Sequence, residues 1–285
     1  MKVLLPMLII KIPGTCNTFI INECSSSLLI EQELEKVFFP YAEQLFDISI
    51  DQTIDCDIFI ETNGIDHVRI AIRATGNIIE KYYRSCFDAY RGIYTIIRDH
   101  IKPKSGYCFL HGSCMCINNS LCFFLAKTGV GKSTLSVYYD AKKHICITDD
   151  IIIFNYYKEK VVPISKYAHI RASGTSLLSN DTANGLKYNY FISRYEYLLS
   201  QNRFSLEYNK VAFFLLHRDG SLPRIAKSSN GYSSILENMM LPYQITNNLS
   251  SALYINKHYN VYDVFYDNLD VLLEQIIELL EESTF

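Results

Sequence analysis

The sequence has no surplus of positive charge. Its 285 residues carry 27 Lys and Arg against 30 Asp and Glu, for a net charge of −3. No global positive field exists to recruit nucleic acid or anionic lipid, which argues against a binder that works by bulk electrostatics. Apolar runs stop well short of the roughly 18 residues that a membrane span needs. Internal repeats and Gly/Ser- or Pro-rich linkers are absent, and the composition excludes collagen and low-complexity disorder. The nine cysteines form no CxxC pair, and their number is odd. A disulfide framework suits a short secreted chain, whereas this chain has 49% apolar residues and enough length to bury a core without staples. Five cysteines, Cys108, Cys114, Cys116, Cys122 and Cys146, fall in apolar runs that read as strands. They are expected to be buried free thiols in a reducing cytoplasm. Cys114 and Cys116 share a strand face, yet no second ligand pair follows at metal spacing.

The N-terminal stretch Met1–Lys11 resembles a signal peptide only until Pro6 and Lys11 interrupt it, so a first strand is expected there. Asn63-Gly64 lies between two runs, 56–61 and 67–73, and predicts a hairpin. Apolar residues at Phe87, Ala89, Tyr90, Ile93, Tyr94, Ile96 and Ile97 predict a helix over about 84–100. Lys102-Pro103-Lys104-Ser105-Gly106 is the best boundary, dividing an α+β segment, 1–105, from a second domain, 106–285. In the second domain Asn118-Asn119 predicts a tight hairpin between 107–117 and 120–125, because asparagine tolerates positive φ. A helix is expected at about 131–139, then two strands, 144–148 and 151–156, with a short strand at 161–162. Residues 175–208 read as a surface loop with some helix. A buried strand follows at 211–217, and a closing helix at about 268–282.

Ala126-Lys127-Thr128-Gly129-Val130-Gly131-Lys132-Ser133 carries the strongest chemistry. It fits a phosphate-binding loop with Ala126 in place of the first glycine. It also follows a buried strand and opens a helix, as the mechanism requires. Gly129 and Gly131 let successive N–H groups turn inward around an anion. The helix N-terminus adds partial positive charge, Lys132 reaches the β- and γ-phosphates, and the Ser133 hydroxyl suits Mg²⁺. Downstream, the apolar strand 145–148 ends in Asp149-Asp150. Adjacent residues on an extended chain point to opposite sides, so one acid can serve a metal and the other an acceptor hydroxyl. His111 precedes the hairpin by seven residues, and antiparallel pairing brings it to the start of the loop. Arg171 is a candidate phosphate contact. Arg218 and Arg224 flank an Asp219-Gly220 turn.

Taken together, Leu110-His111-Gly112-Ser113, Thr128-Gly129-Val130-Gly131-Lys132-Ser133-Thr134 and Thr148-Asp149-Asp150 resemble the HPr kinase/phosphorylase family. The resemblance spans about 107–172. It implies an α/β fold with a mixed-sheet P-loop kinase core of the HPr-kinase/phosphoenolpyruvate-carboxykinase type, and an N-terminal segment that binds acceptor or packs. It also implies ATP and Mg²⁺ as cofactors and transfer to a serine hydroxyl. By it, Lys127, Thr128, Gly129, Val130, Gly131, Lys132, Ser133 and Thr134 bind nucleotide, while Ser133 and Asp150 hold the metal. Asp149 becomes the catalytic acid/base, assisted by His111. The family's Gly- and Arg-containing C-terminal loop has no counterpart here. The chain therefore looks closer to shorter relatives that phosphorylate biosynthetic peptides, such as lasso-peptide precursors. The expected partner is a peptide or protein bearing a serine, with no nucleic acid and no membrane, and a homo-oligomer is the family precedent. The residues leave two other readings open, a nucleotide-dependent regulatory protein without transfer and a kinase of a small alcohol such as free serine.

Overall fold

The computed structural model describes residues 7–13, 15, 18–23, 28–45, 58–63, 68–74, 77–101, 103–204, 206–218, 224–240 and 245–282. The chain forms two compact units, Met1–Ser105 and Gly106–Phe285.

The first unit is an α+β layer. Its elements are β1 (Met7–Lys11), β2 (Thr18–Glu23), α1 (Leu28–Val37), β3 (Ala42–Leu45), β4 (Ile58–Asn63), β5 (Val68–Ala74), β6 (Asn77–Tyr83) and α2 (Cys86–His100). The strands pair in the order β3-β1-β2-β4-β5-β6. The hairpin expected around Asn63 is present, with Ile60 opposite Ile72 and Asn63 opposite Arg69. Its turn, 64–67, lies outside the described residues, as do Met1–Pro6, Cys16, Cys24 and Cys56. Helix α2 starts where a cap permits it, since the Ser85 hydroxyl accepts from the Asp88 N–H. Ala89, Ile93 and Ile97, four residues apart on α2, are buried, as is Leu34 of α1.

The second unit is a mixed α/β layer. Its first elements are β7 (Tyr107–Ile117), β8 (Ser120–Leu125), α3 (Lys132–Ala141), β9 (Ile145–Asn155), β10 (Lys160–Val162), β11 (Tyr167–Ile170), α4 (Ala172–Thr175) and α5 (Asn180–Asn184). These are followed by β12 (Lys187–Asn189), β13 (Arg194–Leu198), β14 (Lys210–His217), β15 (Arg224–Lys227), α6 (Gly231–Glu237), α7 (Ile245–His258), β16 (Asn260–Phe265) and α8 (Leu269–Glu282). Seven strands form one sheet in the order β10-β9-β7-β8-β14-β16-β15. Within it β8, β14 and β16 run parallel, and β7 and β9 are antiparallel to their neighbours.

All six residues of β8 are buried, which is why its sequence, Ser-Leu-Cys-Phe-Phe-Leu, shows no alternation. One face of the sheet packs on Leu135, Val137 and Tyr139 of α3 and on Leu272, Ile276 and Leu280 of α8. The other packs on Ile235 of α6 and on Ala252 and Ile255 of α7. The five cysteines of this unit are free and buried. Cys114 and Cys116 enter the same α6/α7-side core. Burial in apolar surroundings holds the Cys108, Cys114 and Cys122 thiols protonated, well above the ordinary thiol value.

Two expectations are corrected. The strands expected at 144–148 and 151–156 are one strand, β9. The ladder with β7 continues past Asp150, which takes φ +69 in mid-strand, so the acidic pair bends the strand without ending it. The stretch 175–208, expected as a loop with some helix, contains the short helix α5 but also β12 and β13, which join β11 in a three-stranded sheet. These strands are only three to five residues long, too short for alternation to register.

Phe123 sits at the centre of the α6/α7-side core, stacked 4.4 Å from Phe213 and 4.7 Å from Phe154. Phe123→Ala is expected to cost about 3–5 kcal/mol by the usual cavity penalty, read as a lower urea midpoint with unchanged slope.

Candidate active site

The loop 126–131 connects the fully buried β8 to α3. Gly129 has φ +93, and Gly131, the N-cap of α3, has φ +115. Both values lie where a Cβ is strained, so the curl depends on glycine at these two positions. The turn is held by Val130 N–H to the Lys127 carbonyl (3.4 Å) and by the Tyr266 hydroxyl donating to the Val130 carbonyl (2.9 Å). Lys132 is buried, and its Nζ folds back to donate to the carbonyls of Ala126 (2.7 Å) and Lys127 (3.4 Å). Desolvation lowers its pKa, an effect opposed by the charges of Asp149 and Asp150 and reinforced by Arg171.

The structure brings Arg171 to the loop. A Cβ built on Gly129 would lie 3.9 Å from Arg171 Nη1. Close packing makes this approach feasible, because a Cβ on Gly174 would come within 2.4 Å of Thr134 Oγ1. The turn after β11 can therefore lie directly against the first turn of α3.

The ladder between β7 and β9 delivers the acids. It carries a bulge at Cys114/Met115, and beyond it Ser113 faces Asp149 and Gly112 faces Asp150. Asp149 is 4% exposed. Its carboxylate accepts from the Ser113 hydroxyl at 2.6 Å, and the Ser133 side chain lies near enough to favour its charged form. Burial pushes its pKa up from the ordinary 3.8. The Ser113 and Ser133 side chains and the charge of His169 pull it down, while Asp150 raises it further. The side chain of Asp150 is 56% exposed.

His111 lies beside Asp150, where the resemblance implies Asp149. Its Nδ1 is 3.2 Å from the Asp150 carbonyl oxygen and 3.3 Å from Asp150 Oδ1. The β7–β9 register sets this, pairing Gly112 with Asp150 and His111 with Ile151. On the other edge of β7, β8 leaves the sheet at Leu125 to become the loop, and residues 238–240 take its place. The His111 N–H donates to the Asn238 carbonyl at 2.8 Å, and the Met240 N–H to the Phe109 carbonyl at 2.9 Å.

Lys132, Ser133, Asp149, Asp150, His111 and Arg171 thus gather around one loop. Ser113, His169 and Tyr266 belong to the same site, and the sequence assigns none of them a role. Ser113 figures there only as the last residue of Leu110-His111-Gly112-Ser113, two beyond His111 on the same strand face. His169 faces Glu196 across the β11–β13 ladder, with Nε2 3.8 Å from Oε1.

No family model matches the chain, and no curated protein matches it. Among solved structures it is similar to the HPr(Ser) kinase/phosphatase from Coxiella burnetii. That similarity is at 13% identity and a TM-score of 0.32, and it covers 61% of this chain and 91% of that chain.

The buried carboxylate has a consequence for stability. Below the ordinary aspartate value the group is protonated in both folded and unfolded chains, and burial carries no charge penalty. Above its raised folded value it is ionised in both states, and the desolvation cost is fully present. Stability from this group is therefore lost as pH rises through the carboxylate range. Asp149→Asn is expected to be more stable than wild type near pH 7, the gain vanishing near pH 3 in urea titrations at both values.

Proposed function

We propose that the chain is an ATP- and Mg²⁺-dependent phosphotransferase that moves the γ-phosphoryl group onto a hydroxyl. The acceptor we propose is a serine on a peptide or protein. The observation that carries this reading is the placement of the Ser133 hydroxyl, in the first turn behind the glycine curl, close enough to the buried carboxylate of Asp149 to favour its charged form. A hydroxyl and a carboxylate beside a phosphate loop are hard oxygen donors of the kind Mg²⁺ takes, with phosphate oxygens and water completing its shell. No cluster of three or more His, Cys, Asp or Glu suited to an all-protein metal cage occurs among the described residues. Mg²⁺ held this way supplies charge neutralisation on the β- and γ-phosphate oxygens.

The chain's own residues account for the rest. The N–H groups of the loop hold the phosphates, and Lys132 exchanges its carbonyl partners at Ala126 and Lys127 for phosphate oxygens. Arg171, poised at Gly129, adds positive charge at the transferring group. The two aspartates divide the work by exposure. Asp149, turned to Ser133, stands on the metal side. Asp150, open to solvent and beside His111, faces the acceptor. This exchanges the roles that the resemblance implies. The acceptor O–H proton passes to the Asp150 carboxylate as the new O–P bond forms and the bond from the γ-phosphorus to the bridging oxygen breaks, releasing ADP. His111 orients the carboxylate that receives the proton. A surface location for the accepting carboxylate suits a hydroxyl carried on a larger partner. Buried free thiols suit a reducing cytoplasm.

Incubation with labelled ATP and serine peptides, followed by mass spectrometry, tests the proposal, and free serine in a parallel tube tests a small-alcohol acceptor. Asp150→Asn is expected to lower kcat by about 10²- to 10⁴-fold with Mg·ATP affinity retained. Asp149→Asn is expected to weaken the Mg²⁺ dependence of nucleotide binding, and Lys132→Ala to weaken nucleotide binding itself. Normal turnover by Asp150→Asn would show that the proton goes elsewhere.

A further inference from the structure

The carboxyl edge of the large sheet is laid out as a line. Strand order puts β9 and β7, with Asp149, Asp150 and His111, on one side of the phosphate loop, and β14 and β16 on the other. Leu125, the last residue of β8, is level with Leu215 of β14, which is level with Asp263 of β16. His217 therefore stands two residues further, at the height of the loop's first residues on the neighbouring strand.

His217 is part of a stack of planar groups. It pairs across the ladder with Phe265, and their rings lie 4.8 Å apart at 19°. Phe265 pairs with Arg224 of β15, whose Cζ sits 4.3 Å from the Phe265 ring centroid. The row β14-β16-β15 thus lays His217, Phe265 and Arg224 side by side. Asp263 fixes the edge of the imidazole, with Oδ1 2.9 Å from Nε2. His217 keeps 42% of its side chain exposed, even with one ring face on Phe265 and one edge on Asp263. The next place in the row, beyond His217, falls over the start of the phosphate loop, where β8 has ended and no strand residue fills it.

We propose that His217 is the stacking platform for the base of the bound nucleoside triphosphate. The inference rests on the nucleotide reading above and goes beyond it by assigning the nucleoside end. A triphosphate whose γ-group is drawn toward Asp149 and Asp150 must run its nucleoside away from them, toward β14. From β9 to β14 is three strand spacings, about 14 Å at about 4.8 Å each. That places one end of an extended nucleotide at the acids and the other at His217. The Phe265 and Arg224 planes behind the imidazole hold it flat, and Asp263 prevents it from rotating. Stacking recognises the face of a base and is tolerant of its edge. The site therefore accepts purine nucleoside triphosphates as a class, with little discrimination between adenine and guanine.

Direct binding of ATP, GTP and inorganic tripolyphosphate to the full chain separates the two ends. Wild type is expected to bind ATP and GTP alike, and both about tenfold more tightly than tripolyphosphate. His217→Ala is expected to lose that tenfold for ATP and to bind tripolyphosphate as wild type does. His217→Phe, which restores a ring, is expected to keep ATP affinity. If the alanine variant does not fold, His217→Gln, which keeps a polar edge toward Asp263, carries the same expectation. Unchanged ATP affinity in the ring-free variant, or an equal loss for tripolyphosphate, overturns the platform. Wild type that binds tripolyphosphate but ATP no more tightly overturns the platform alone. Wild type that binds neither overturns the nucleotide reading with it.

Discussion

A carboxylate removed from water must be supplied with donors, and Asp149 is almost completely buried. Its donor is the Ser113 hydroxyl of β7, and the Ser133 side chain of α3 lies near enough to favour its charge. That requirement ties three parts of the second unit together. The β7–β9 register must bring residue 113 opposite 149, the bulge must aim both inward, and the loop must turn tightly enough for residue 133 to reach back. Moving any of the three would leave an unpaired charge inside the protein, at a cost of several kcal/mol by the usual penalty for uncompensated buried charge.

The surrounding packing serves the same constraint. Strand β8 is buried on both faces and cannot shift, so the loop leaves the sheet at a fixed point. Tyr266 holds the loop from the β16 side through the Val130 carbonyl. Gly174 allows the turn bearing Arg171 to lie against Thr134. Asp150, by contrast, adopts φ +69 in the middle of a strand and remains exposed. Asp tolerates that region at modest cost, and such local strain tends to collect at functional positions. The adjacent acids thus differ sharply in environment, one desolvated and hydrogen-bonded to Ser113, the other open beside an imidazole.

Much of this was legible in the sequence because it is local. The glycine curl, the lysine and serine after it, and the Asn118-Asn119 turn each depend on a few neighbouring residues, and the turn has φ +45 and φ +57 as such a pair requires. Helix α2 announces itself by the spacing of its apolar residues. What was not legible depends on long-range pairing. Ser113 becomes a carboxylate partner only through a residue 36 positions away, and His111 meets Asp150 because the β7–β9 register pairs Gly112 with Asp150. The strands β12 and β13 are too short to show a period. His217 and Phe265 have no motif and meet only because parallel strands align them.

The most direct test is a crystal structure of the chain with Mg²⁺ and a non-hydrolysable ATP analogue. The account predicts the triphosphate over the main-chain amides of residues 128–133, with the metal between Ser133 and Asp149 and Lys132 turned from the Ala126 carbonyl to the phosphates. A nucleotide bound elsewhere, with no metal between Ser133 and Asp149 and Lys132 still on its carbonyl, would contradict it.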